Sequence, residues 1–479
     1  MGTNFSLVRG VSMAFYEKRA KKGGVGAIVI GAVLVDALLS NGFARSFHRW
    51  VAEPVQAQDV KIGLQLLYTN QYPEYWDEGV VQEWVAPSPG TPPGAQVILP
   101  ILKETQAYCR ELTTGDIDDI ISRYAAAAKK VKEAGFDFVE MHACHGHNLP
   151  HQFFSPIDNH RSDGYGGHMA GRMRFSIEAA RAIRCAMGED YPFFWRLSAE
   201  EGLPGGYTLE ECTELCIELE KAGIDVIDVS YGHEANYQPA PSAHFMPCPG
   251  EEWPPAAYVP CAERIKQSVS VPVIGVGRIH TRETAEKVLS EGRVDMIAMG
   301  RQLLADPLWP RKIAEDRENE ITPCLYCNHC VETLETGKPI RCAVNAFMGR
   351  ENEISISPAR KKKSLVVIGG GPGGMEAARL SHLARHFLLY NLAKQGVTMV
   401  TGATCGPITD EGLTITTRRN KQQSLSADTV VIAAGSRSDA SLATKLDGLT
   451  APLYLVGDCV NPRRIADAVK EGFRVGLEI

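Results

Sequence analysis

The stretch that decides the fold is Val139-Glu-Met-His-Ala-Cys-His-Gly-His147, which continues through Gln152-Phe-Phe-Ser-Pro156 to Asn159-His-Arg-Ser-Asp163. Its first residues predict a buried strand, and the histidines follow at the carboxyl end of that strand. In α/β barrels this end carries the active site. Three histidines within six residues could bind a metal, cap a core or hold a substrate oxygen. Their spacing alone favours none of these interpretations.

Short β-rich runs alternate with amphipathic helices on both sides of this stretch, which is the pattern of parallel βα units. One helix is predicted over Ile117–Ala134, with Asp116 as its N-cap, and another over Thr208–Ala222. The predicted strands are Ala27–Val33, Lys61–Leu67, Phe136–Met141, Phe193–Leu197, Asp225–Val229, Pro272–Val276 and Asp295–Met299.

This series predicts an α/β fold, a (β/α)8 TIM barrel, over residues 1–322. A closed barrel needs eight strands, and seven are found. The chain opens on Met1-Gly-Thr-Asn-Phe, a run typical of the loop that follows a strand. We therefore expect the first barrel strand to be missing from this chain. An open barrel would expose a strand edge.

Four cysteines lie just behind the predicted barrel, at Cys324, Cys327, Cys330 and Cys342. Three thiols within seven residues, joined by a fourth from a separate turn, suit the four thiolates of an iron–sulfur cluster. Structural zinc more often uses two separated Cys-x2-Cys or Cys/His pairs, and it is the alternative. The cysteine loop and a polar linker occupy residues 323–360.

A second α/β unit is predicted over residues 361–479. The strand Ser364–Ile368 leads into Gly369-x-Gly371-x-x-Gly374 and a helix, a setting in which backbone N–H groups hold a dinucleotide pyrophosphate. The acidic residue expected about 20 positions later is absent from the sequence, so we predict a truncated Rossmann-like domain. Its later strands are predicted at Asp428–Gly435 and Tyr454–Asp458.

The bulk composition excludes several classes of protein. A formal net charge of −7 argues against nucleic acid as a partner. The sequence has no run of about 18 apolar residues to span a membrane and no signal peptide at its start. Its thirteen cysteines combine one tight cluster with scattered singles. Because this usage is typical of a reducing compartment, we expect a cytoplasmic protein.

Together these motifs resemble the Old Yellow Enzyme family of flavin ene-reductases. The ordered histidine string, cysteine loop and glycine fingerprint are similar to its iron–sulfur branch, which contains 2,4-dienoyl-CoA reductase, enoate reductase and trimethylamine dehydrogenase. The resemblance covers nearly the whole chain. It implies FMN in the barrel, a 4Fe-4S cluster on the cysteine loop, FAD in the second domain and NAD(P)H as electron donor. No cysteine precedes Cys109, so we expect FMN to be noncovalent.

The resemblance also assigns cofactor-binding residues. Gln65 matches the glutamine that hydrogen-bonds the flavin pyrimidine, and Arg196 matches the basic residue at flavin N1 and O2. A cation there stabilises the anionic reduced flavin. The other matches are the phosphate-binding pairs Gly277-Arg278 and Gly300-Arg301, the isoalloxazine contacts Gly2, Thr3 and Ala32, the cluster ligands Cys324, Cys327, Cys330 and Cys342, and the FAD-binding Gly369, Gly371, Gly374, Gly457 and Asp458.

Four histidines are the catalytic candidates. His142 and His145 match the pair that hydrogen-bonds the carbonyl oxygen of an activated alkene. His147 stands where the family usually has a tyrosine proton donor, so it could protonate the substrate or be a satisfied polar residue. His233, in Tyr231-Gly-His-Glu234, matches an active-site histidine of dienoyl-CoA reductase. Tyr68 is a weaker alternative as proton donor.

We therefore predict an oxidoreductase that reduces the C=C bond of an α,β-unsaturated carbonyl compound, with NAD(P)H as the source of electrons. The expected partner is a small molecule such as an enoate, a dienoyl-CoA or an enone, and a homo-oligomer is left open. The alternatives are an amine or steroid dehydrogenase on the same scaffold, an inactive electron-transfer or binding subunit, and a zinc-stapled barrel without redox chemistry.

Overall fold

The computed structural model describes residues 11–21, 23–40, 42–72, 83–90, 108–234, 247–250, 253–335, 339–351, 365–368, 400, 403–410, 412–417, 420–427, 429–432, 453–460 and 465–478. The chain divides into two compact units. One unit comprises Met1–Leu303 and Tyr326–Ile340, and the other comprises Leu304–Leu325 and Arg341–Ile479.

The first unit is built on a parallel sheet of seven strands, which neighbour one another in chain order. All seven predicted strands are confirmed, and their ends lie within two residues of the predicted ones. No eighth strand joins this sheet in the part of the chain that the structure describes. The strands are β1 (Ala27–Leu34), β2 (Lys61–Leu67), β3 (Phe138–Ala143), β4 (Phe193–Ser198), β5 (Val226–Ser230), β6 (Val273–Gly275) and β7 (Met296–Ile297).

Burial explains why these strands are apolar. Parallel sheets are covered on both faces and therefore carry nearly continuous apolar runs, and β3 and β5 are buried at every position. Polar side chains in them are exceptions that need partners. Because alternate side chains share a face, Glu140 and His142 of β3 lie on the same face of the sheet.

Helices connect these strands. The helices of the first unit are α1 (Val11–Lys21), α2 (Val35–Leu39), α3 (Phe43–Phe47), α4 (Glu53–Gln56), α5 (Thr114–Ala134), α6 (Leu149–Phe154), α7 (Met169–Met187), α8 (Leu209–Lys221), α9 (Val259–Lys266), α10 (Arg282–Ser290), α11 (Arg301–Ala305, which extends into the second unit) and α13 (His329–Glu335), with α12 (Trp309–Ala314) in the second unit. A π-helical turn, His48–Ala52, links α3 to α4. Three short strands, Gln71–Tyr72, Glu83–Ala86 and Arg110–Glu111, form a separate small sheet.

The start of α5 corrects one prediction. Asp116 is not the N-cap, because Thr113 occupies that position and accepts a hydrogen bond from the Asp116 backbone N–H. The Asp116 carboxylate accepts in return from the Thr113 backbone N–H at 2.8 Å. This reciprocal pair is a capping box, and it starts the helix three residues earlier than predicted. The predicted helix at α8 is confirmed, with Thr208 as its N-cap.

The second unit contains two small sheets. Strands β8 (Leu365–Ile368), β12 (Thr429–Ile432) and β13 (Leu453–Leu455) form a parallel sheet with β12 in the centre. All three were predicted, with longer ends for β12 and β13. The sequence did not predict the antiparallel sheet of β9 (Thr404–Thr409), β10 (Gly412–Thr416) and β11 (Gln422–Leu425). A closing helix, α14, covers Ile465–Glu478.

Among the described residues, no helix combines the length and the apolar character needed to cross a membrane.

Candidate active site

The histidine loop, residues 144–147, follows β3 and turns tightly. His142 lies in the strand, while His145 and Gly146 have left-handed backbones with φ of +71° and +88°. A Cβ on Gly146 would lie 2.3 Å from His233 Nε2, so this close approach needs glycine. The turn brings the rings of His142, His145 and His147 together, with one ligand nitrogen of each within 4.8 Å of the others.

A chain of polar atoms runs through His147. Its Nε2 lies 2.9 Å from His142 Nε2, and its Nδ1 lies 2.9 Å from Glu234 Oε1. The side chains of His147 and Glu234 are 15% and 11% exposed, whereas His142 is buried. The contact with Glu234 is at ion-pair distance and is not a hydrogen bond, because His147 Nδ1 has no hydrogen-bond partner among the described residues.

Two strand-end serines hold His145. Its Nε2 lies 2.8 Å from Ser230 Oγ at the end of β5. Its backbone N–H donates to Ser198 Oγ at the end of β4, at 3.1 Å. The Ser198 hydroxyl in turn donates to the carbonyl of Gly232 at 2.8 Å. The orientation of His145 is therefore fixed from two neighbouring strands.

Burial keeps His142 and His145 neutral. It lowers the pKa of His142 well below its ordinary value, and the neighbouring His147, His145 and Arg196 lower it further. Burial also lowers the pKa of His145, again with help from Arg196 and His147. A neutral imidazole has one N–H donor and one acceptor. Each ring can therefore donate one hydrogen bond without bringing a charge into the site.

A layer of charged and amide side chains lies on the same strands. Gln65 of β2 donates to Glu140 Oε1 of β3 at 2.6 Å, and Arg196 of β4 donates to Asp228 Oδ2 of β5 at 2.5 Å. Burial raises the pKa of Glu140 to about 8, and the Asp228 carboxylate adds to the rise. Burial alone would lower the pKa of Arg196, but Asp228 holds it above its ordinary value. Arg196 is therefore a permanent cation.

This layer fits the pyrimidine edge of a flavin. Oε2 of Glu140 and Oδ1 of Asp228 are buried and have no hydrogen-bond partner in the part of the chain that is described. Buried polar atoms usually have partners, so two such atoms beside the half-buried cation of Arg196 indicate a polar ligand. Ala32, predicted to contact the flavin ring, is half-buried where the β1–β2 register shifts. Gly2 and Thr3 lie outside the described residues.

The predicted phosphate turns follow β6 and β7. Gly277 has φ of +112°, and a Cβ there would lie 2.9 Å from Tyr258 Cδ2. Arg278 and Arg301 both face the ring of Tyr326, with their Cζ atoms 4.4 Å and 5.0 Å from its centroid. Gly300 directly precedes Arg301 at the start of α11. The structure therefore brings the two arginines of these turns to one aromatic side chain.

The predicted cluster ligands are four cysteines of the two units. Cys327 is exposed and Cys330 is buried, and both belong to the first unit. Cys324 and Cys342 are half-buried and belong to the second unit. Four thiolates are the donor set that an iron–sulfur cluster requires. Their assignment as cluster ligands stays a prediction.

The predicted FAD-binding residues lie in the second unit. Gly369, Gly371 and Gly374 fall outside the described residues. Gly457 has φ of +77° and opens a short 3-10 turn that contains Asp458. The backbone N–H of Gly457 donates to Glu471 Oε2 of α14 at 2.7 Å.

His233 packs against Gly146 of the histidine loop. Its side chain has no exposure to solvent, and its Nε2 lies 3.1 Å from Asp158 Oδ2. Its catalytic role stays a prediction, and its full burial gives no support for a direct contact with substrate. Tyr68 is also fully buried.

The sequence analysis missed several residues that build this site. Glu140 and Asp228 each lie two positions before a site residue on the same buried strand, so a charged residue inside an apolar run was an available signal. Glu234 directly follows His233, which was singled out. Ser198 and Ser230 carry a weaker signal, because serine is common at strand ends.

Known proteins are similar to this chain in sequence and in fold. Residues 6–320 match the NADH:flavin oxidoreductase / NADH oxidase family. The chain is 39% identical over 403 residues to the NADH oxidase of Thermoanaerobacter brockii, covering 80% of this chain and 58% of that protein. It is 38% identical over 382 residues to the metal reductase of Desulforamulus reducens, covering 78% of this chain and 54% of that protein. With the cinnamate reductase of Clostridium sporogenes it shares 32% identity over 401 residues, covering 78% of this chain and 57% of that protein.

The chain therefore spans little more than half the length of these relatives. Among solved structures, a complex of 2-naphthoyl-CoA reductase has a TM-score of 0.76 at 23% identity, covering 98% of this chain and 94% of that chain. The Old Yellow Enzyme homologue of Zymomonas mobilis has a TM-score of 0.51 at 21% identity, covering 66% of this chain and 85% of that chain. These likenesses show the fold, and they confirm the predicted barrel. Because the family match extends over more than half of its length, the chain is a member of the NADH:flavin oxidoreductase / NADH oxidase family.

Proposed function

We propose that this chain is part of an NAD(P)H-dependent flavoenzyme that reduces the C=C bond of an α,β-unsaturated carbonyl compound. The observation that carries the proposal is the pair of neutral imidazoles at the carboxyl end of β3, the buried His142 and the half-buried His145, beside the cation Arg196. Relatives named cinnamate reductase and bilirubin reductase favour the same kind of substrate.

The layer of Gln65, Glu140, Arg196 and Asp228 would hold the pyrimidine edge of FMN. FMN supplies hydride chemistry when it is bound. Arg196 contributes a fixed positive charge where negative charge develops on reduction, and its pairing with Asp228 keeps the guanidinium in place. We assign Gly277, Arg278, Gly300 and Arg301 to the FMN phosphate, and Gly2, Thr3 and Ala32 to the ring.

His142 and His145 would donate hydrogen bonds to the carbonyl oxygen of the substrate. Such donors draw electron density from the conjugated double bond and make its β-carbon a better acceptor. Neutral rings suit this task, because they donate a hydrogen bond without transferring a proton to the oxygen. Ser198 and Ser230 hold His145 in position for it.

We assign the proton that completes the reduction to His147. The β-carbon receives two electrons with one hydrogen, so the α-carbon must receive a proton. His147 is partly exposed, and Glu234 lies 2.9 Å from its Nδ1. The Glu234 carboxylate faces the ring nitrogen opposite the one that faces His142. His233, which is fully buried, is not placed in contact with substrate.

The remaining cofactor assignments follow the resemblance. Cys324, Cys327, Cys330 and Cys342 would hold a 4Fe-4S cluster, and Gly369, Gly371, Gly374, Gly457 and Asp458 would hold FAD. Electrons from NAD(P)H would enter through that second domain. The close spacing of the four cysteines, and strand β8, which leads into the glycine turn and pairs in parallel with β12, support these assignments.

The test is an anaerobic reoxidation experiment on the FMN-loaded full chain. Dithionite-reduced protein is mixed with cinnamate or with cyclohexenone, and the return of flavin absorbance is recorded. His142→Ala should slow this step by about 10²–10³-fold, the usual effect of losing one donor to developing negative charge. His160→Ala is the matched control, because His160 is exposed and its backbone N–H, which the substitution keeps, donates to Ser88 Oγ.

Oxidised protein is also mixed with dimethylamine. Flavin that is bleached by the amine, but not reoxidised by either alkene, would show that the chain is part of an amine dehydrogenase. Equal reoxidation rates for wild type and His142→Ala would remove the oxygen-binding role of the histidine pair.

A further inference from the structure

Four ionisable side chains form a buried cluster beneath the histidine loop, which we name the lower tetrad. It consists of His151, Asp158, Glu201 and His233. His151 lies in α6, Asp158 in the turn after α6, Glu201 after β4 and His233 after β5. All four side chains have no exposure to solvent. They belong neither to the flavin layer nor to the oxygen-binding pair.

The ligand atoms of the lower tetrad converge. His151 Nε2 lies 2.9 Å from Glu201 Oε1, and His233 Nε2 lies 3.1 Å from Asp158 Oδ2. His233 Nε2 is also 4.0 Å from Glu201 Oε1. All four atoms lie within 4.8 Å of one another. Ligands at about 2.0–2.2 Å from a tetrahedral metal ion are separated by about 3.4 Å, so small shifts would place these four around one ion.

Polar contacts surround both ring nitrogens of His151. Tyr207 Oη donates its proton to the carbonyl of Ser198 at 2.9 Å, and the same oxygen lies 3.4 Å from His151 Nδ1. His151 Nε2 makes the shorter contact, at 2.9 Å from Glu201 Oε1. Either a proton on Nε2 or a metal ion can join these two atoms.

One further observation favours a metal ion. Oδ1 of Asp158 is buried and has no hydrogen-bond partner among the described residues. Glu201 is anchored at its other oxygen, because Oε2 accepts from the Tyr207 backbone N–H at 3.0 Å. Metal-bound histidines commonly have an oxygen beside their other ring nitrogen, and Tyr207 Oη lies 3.4 Å from His151 Nδ1.

We propose that the lower tetrad binds one divalent transition-metal ion of the zinc type, with His151 Nε2, His233 Nε2, Asp158 and Glu201 as its ligands. Two carboxylates and one divalent ion balance in charge while both imidazoles stay neutral. Four protein ligands close the coordination sphere, so the ion is structural. It fixes the histidine loop from below, since His233 packs against Gly146 and the backbone N–H of Glu234 donates to the carbonyl of His145 at 2.9 Å.

The test is metal analysis of the full chain produced in medium supplemented with zinc. About one tightly bound zinc ion per chain is expected. Its X-ray absorption should show only nitrogen and oxygen neighbours near 2.0–2.1 Å, without the sulfur neighbours near 2.3 Å that cysteine-bound zinc would give. Glu201→Gln and Asp158→Asn should each lose this ion and retain the circular dichroism of the folded chain.

The matched control is Glu200→Gln. It removes the carboxylate next to Glu201 in sequence, whose partner is the Tyr231 hydroxyl, and this variant should keep the ion. A folded wild-type chain without stoichiometric zinc overturns the proposal and makes the lower tetrad a network held by protonated imidazoles. Zinc with sulfur neighbours also overturns it, because the ion would then lie on the cysteines. If both tetrad variants fail to fold, the wild-type absorption spectrum alone decides.

Discussion

Replacing Glu140 by glutamine should change how the stability of the protein depends on pH. Glu140 is fully buried and accepts a hydrogen bond from Gln65 at 2.6 Å. Burial, and then the nearby Asp228 carboxylate, raise its pKa from 4.5 to about 8, while Arg196 opposes the rise. At neutral pH the native protein therefore holds Glu140 mainly protonated, whereas the unfolded chain would release that proton.

The size of the effect follows from this difference in pKa. Protonated Glu140 contributes stability that is fully present below pH 4.5 and is lost as the pH rises towards about 8. At roughly 1.4 kcal/mol per pH unit, the total change is about 5 kcal/mol. Glutamine has the shape of the protonated acid and does not titrate. The stability of Glu140→Gln relative to wild type should therefore increase steadily from pH 5 to pH 8 and then level off.

The assay is anaerobic urea unfolding of the full chain, followed by tryptophan fluorescence at pH 5, 6, 7, 8 and 9. The free-energy difference between variant and wild type comes from the midpoint and slope at each pH. Glu133→Gln, at an exposed position on α5, is the control and should show no such trend. A difference for Glu140→Gln that is the same at every pH would refute the raised pKa and the environment inferred for this layer.

Three other substitutions test the histidine loop and the layer beside it. Gly146→Ala should lower the free energy of unfolding by about 2–4 kcal/mol, measured by thermal unfolding, because of left-handed backbone strain and a clash with His233. The control Gly205→Ala, with φ of +82° and nothing within 4 Å of the added Cβ, should show the cost of the strain alone. Equal losses of stability in the two variants would contradict the clash. His147→Gln should slow steady-state enone reduction by about 10²–10⁴-fold while enone binding, seen as a shift of the flavin spectrum, is kept; an unchanged rate would exclude His147 as proton donor. Arg196→Met should destabilise the chain by about 3–5 kcal/mol, because a buried carboxylate loses its cation, and should reduce FMN retention on gel filtration; a stable variant that still retains FMN would argue against this pairing.

The strands of the first unit could be predicted because buried strands consist of apolar residues, and such runs are visible in the sequence. A parallel sheet covered on both faces requires apolar runs, and Lys61–Leu67 has both predicted ends. The start of α5 was not predictable to the residue, because Thr113 and Asp116 are both good capping residues and only the hydrogen bonds decide between them. The hairpin strands β9 to β11 are short and polar, so their pairing depends on register and turns more than on burial.

Residues that meet from distant parts of the chain were the hardest to predict. His147 and Glu234 approach within 2.9 Å across 87 positions of sequence, and His151 and Glu201 do so across 50. Neither pair follows from local pattern. His151 and Glu201 follow the neighbouring strands β3 and β4, whereas His147 and Glu234 follow β3 and β5, which have β4 between them. What the sequence did contain was the unusual density of histidines after one strand, whose rings the structure brings together; their partners were not predicted.

A local rule nevertheless links the fold to the site. Three adjacent strands each carry a charged residue followed two positions later by a polar one, in the pairs Glu140–His142, Arg196–Ser198 and Asp228–Ser230. Residues two apart on a strand share a face, and the observed register sets His142 beside Arg196, Arg196 beside Asp228, and Ser198 beside Ser230. An isolated buried charge is too costly to keep. Arg196 and Asp228 lie at one level of neighbouring strands and pair with each other, whereas Glu140 lies opposite Phe194 and pairs with Gln65 of β2 instead. The repeat therefore marks one face of the sheet, on which charged side chains find their partners on the next strand.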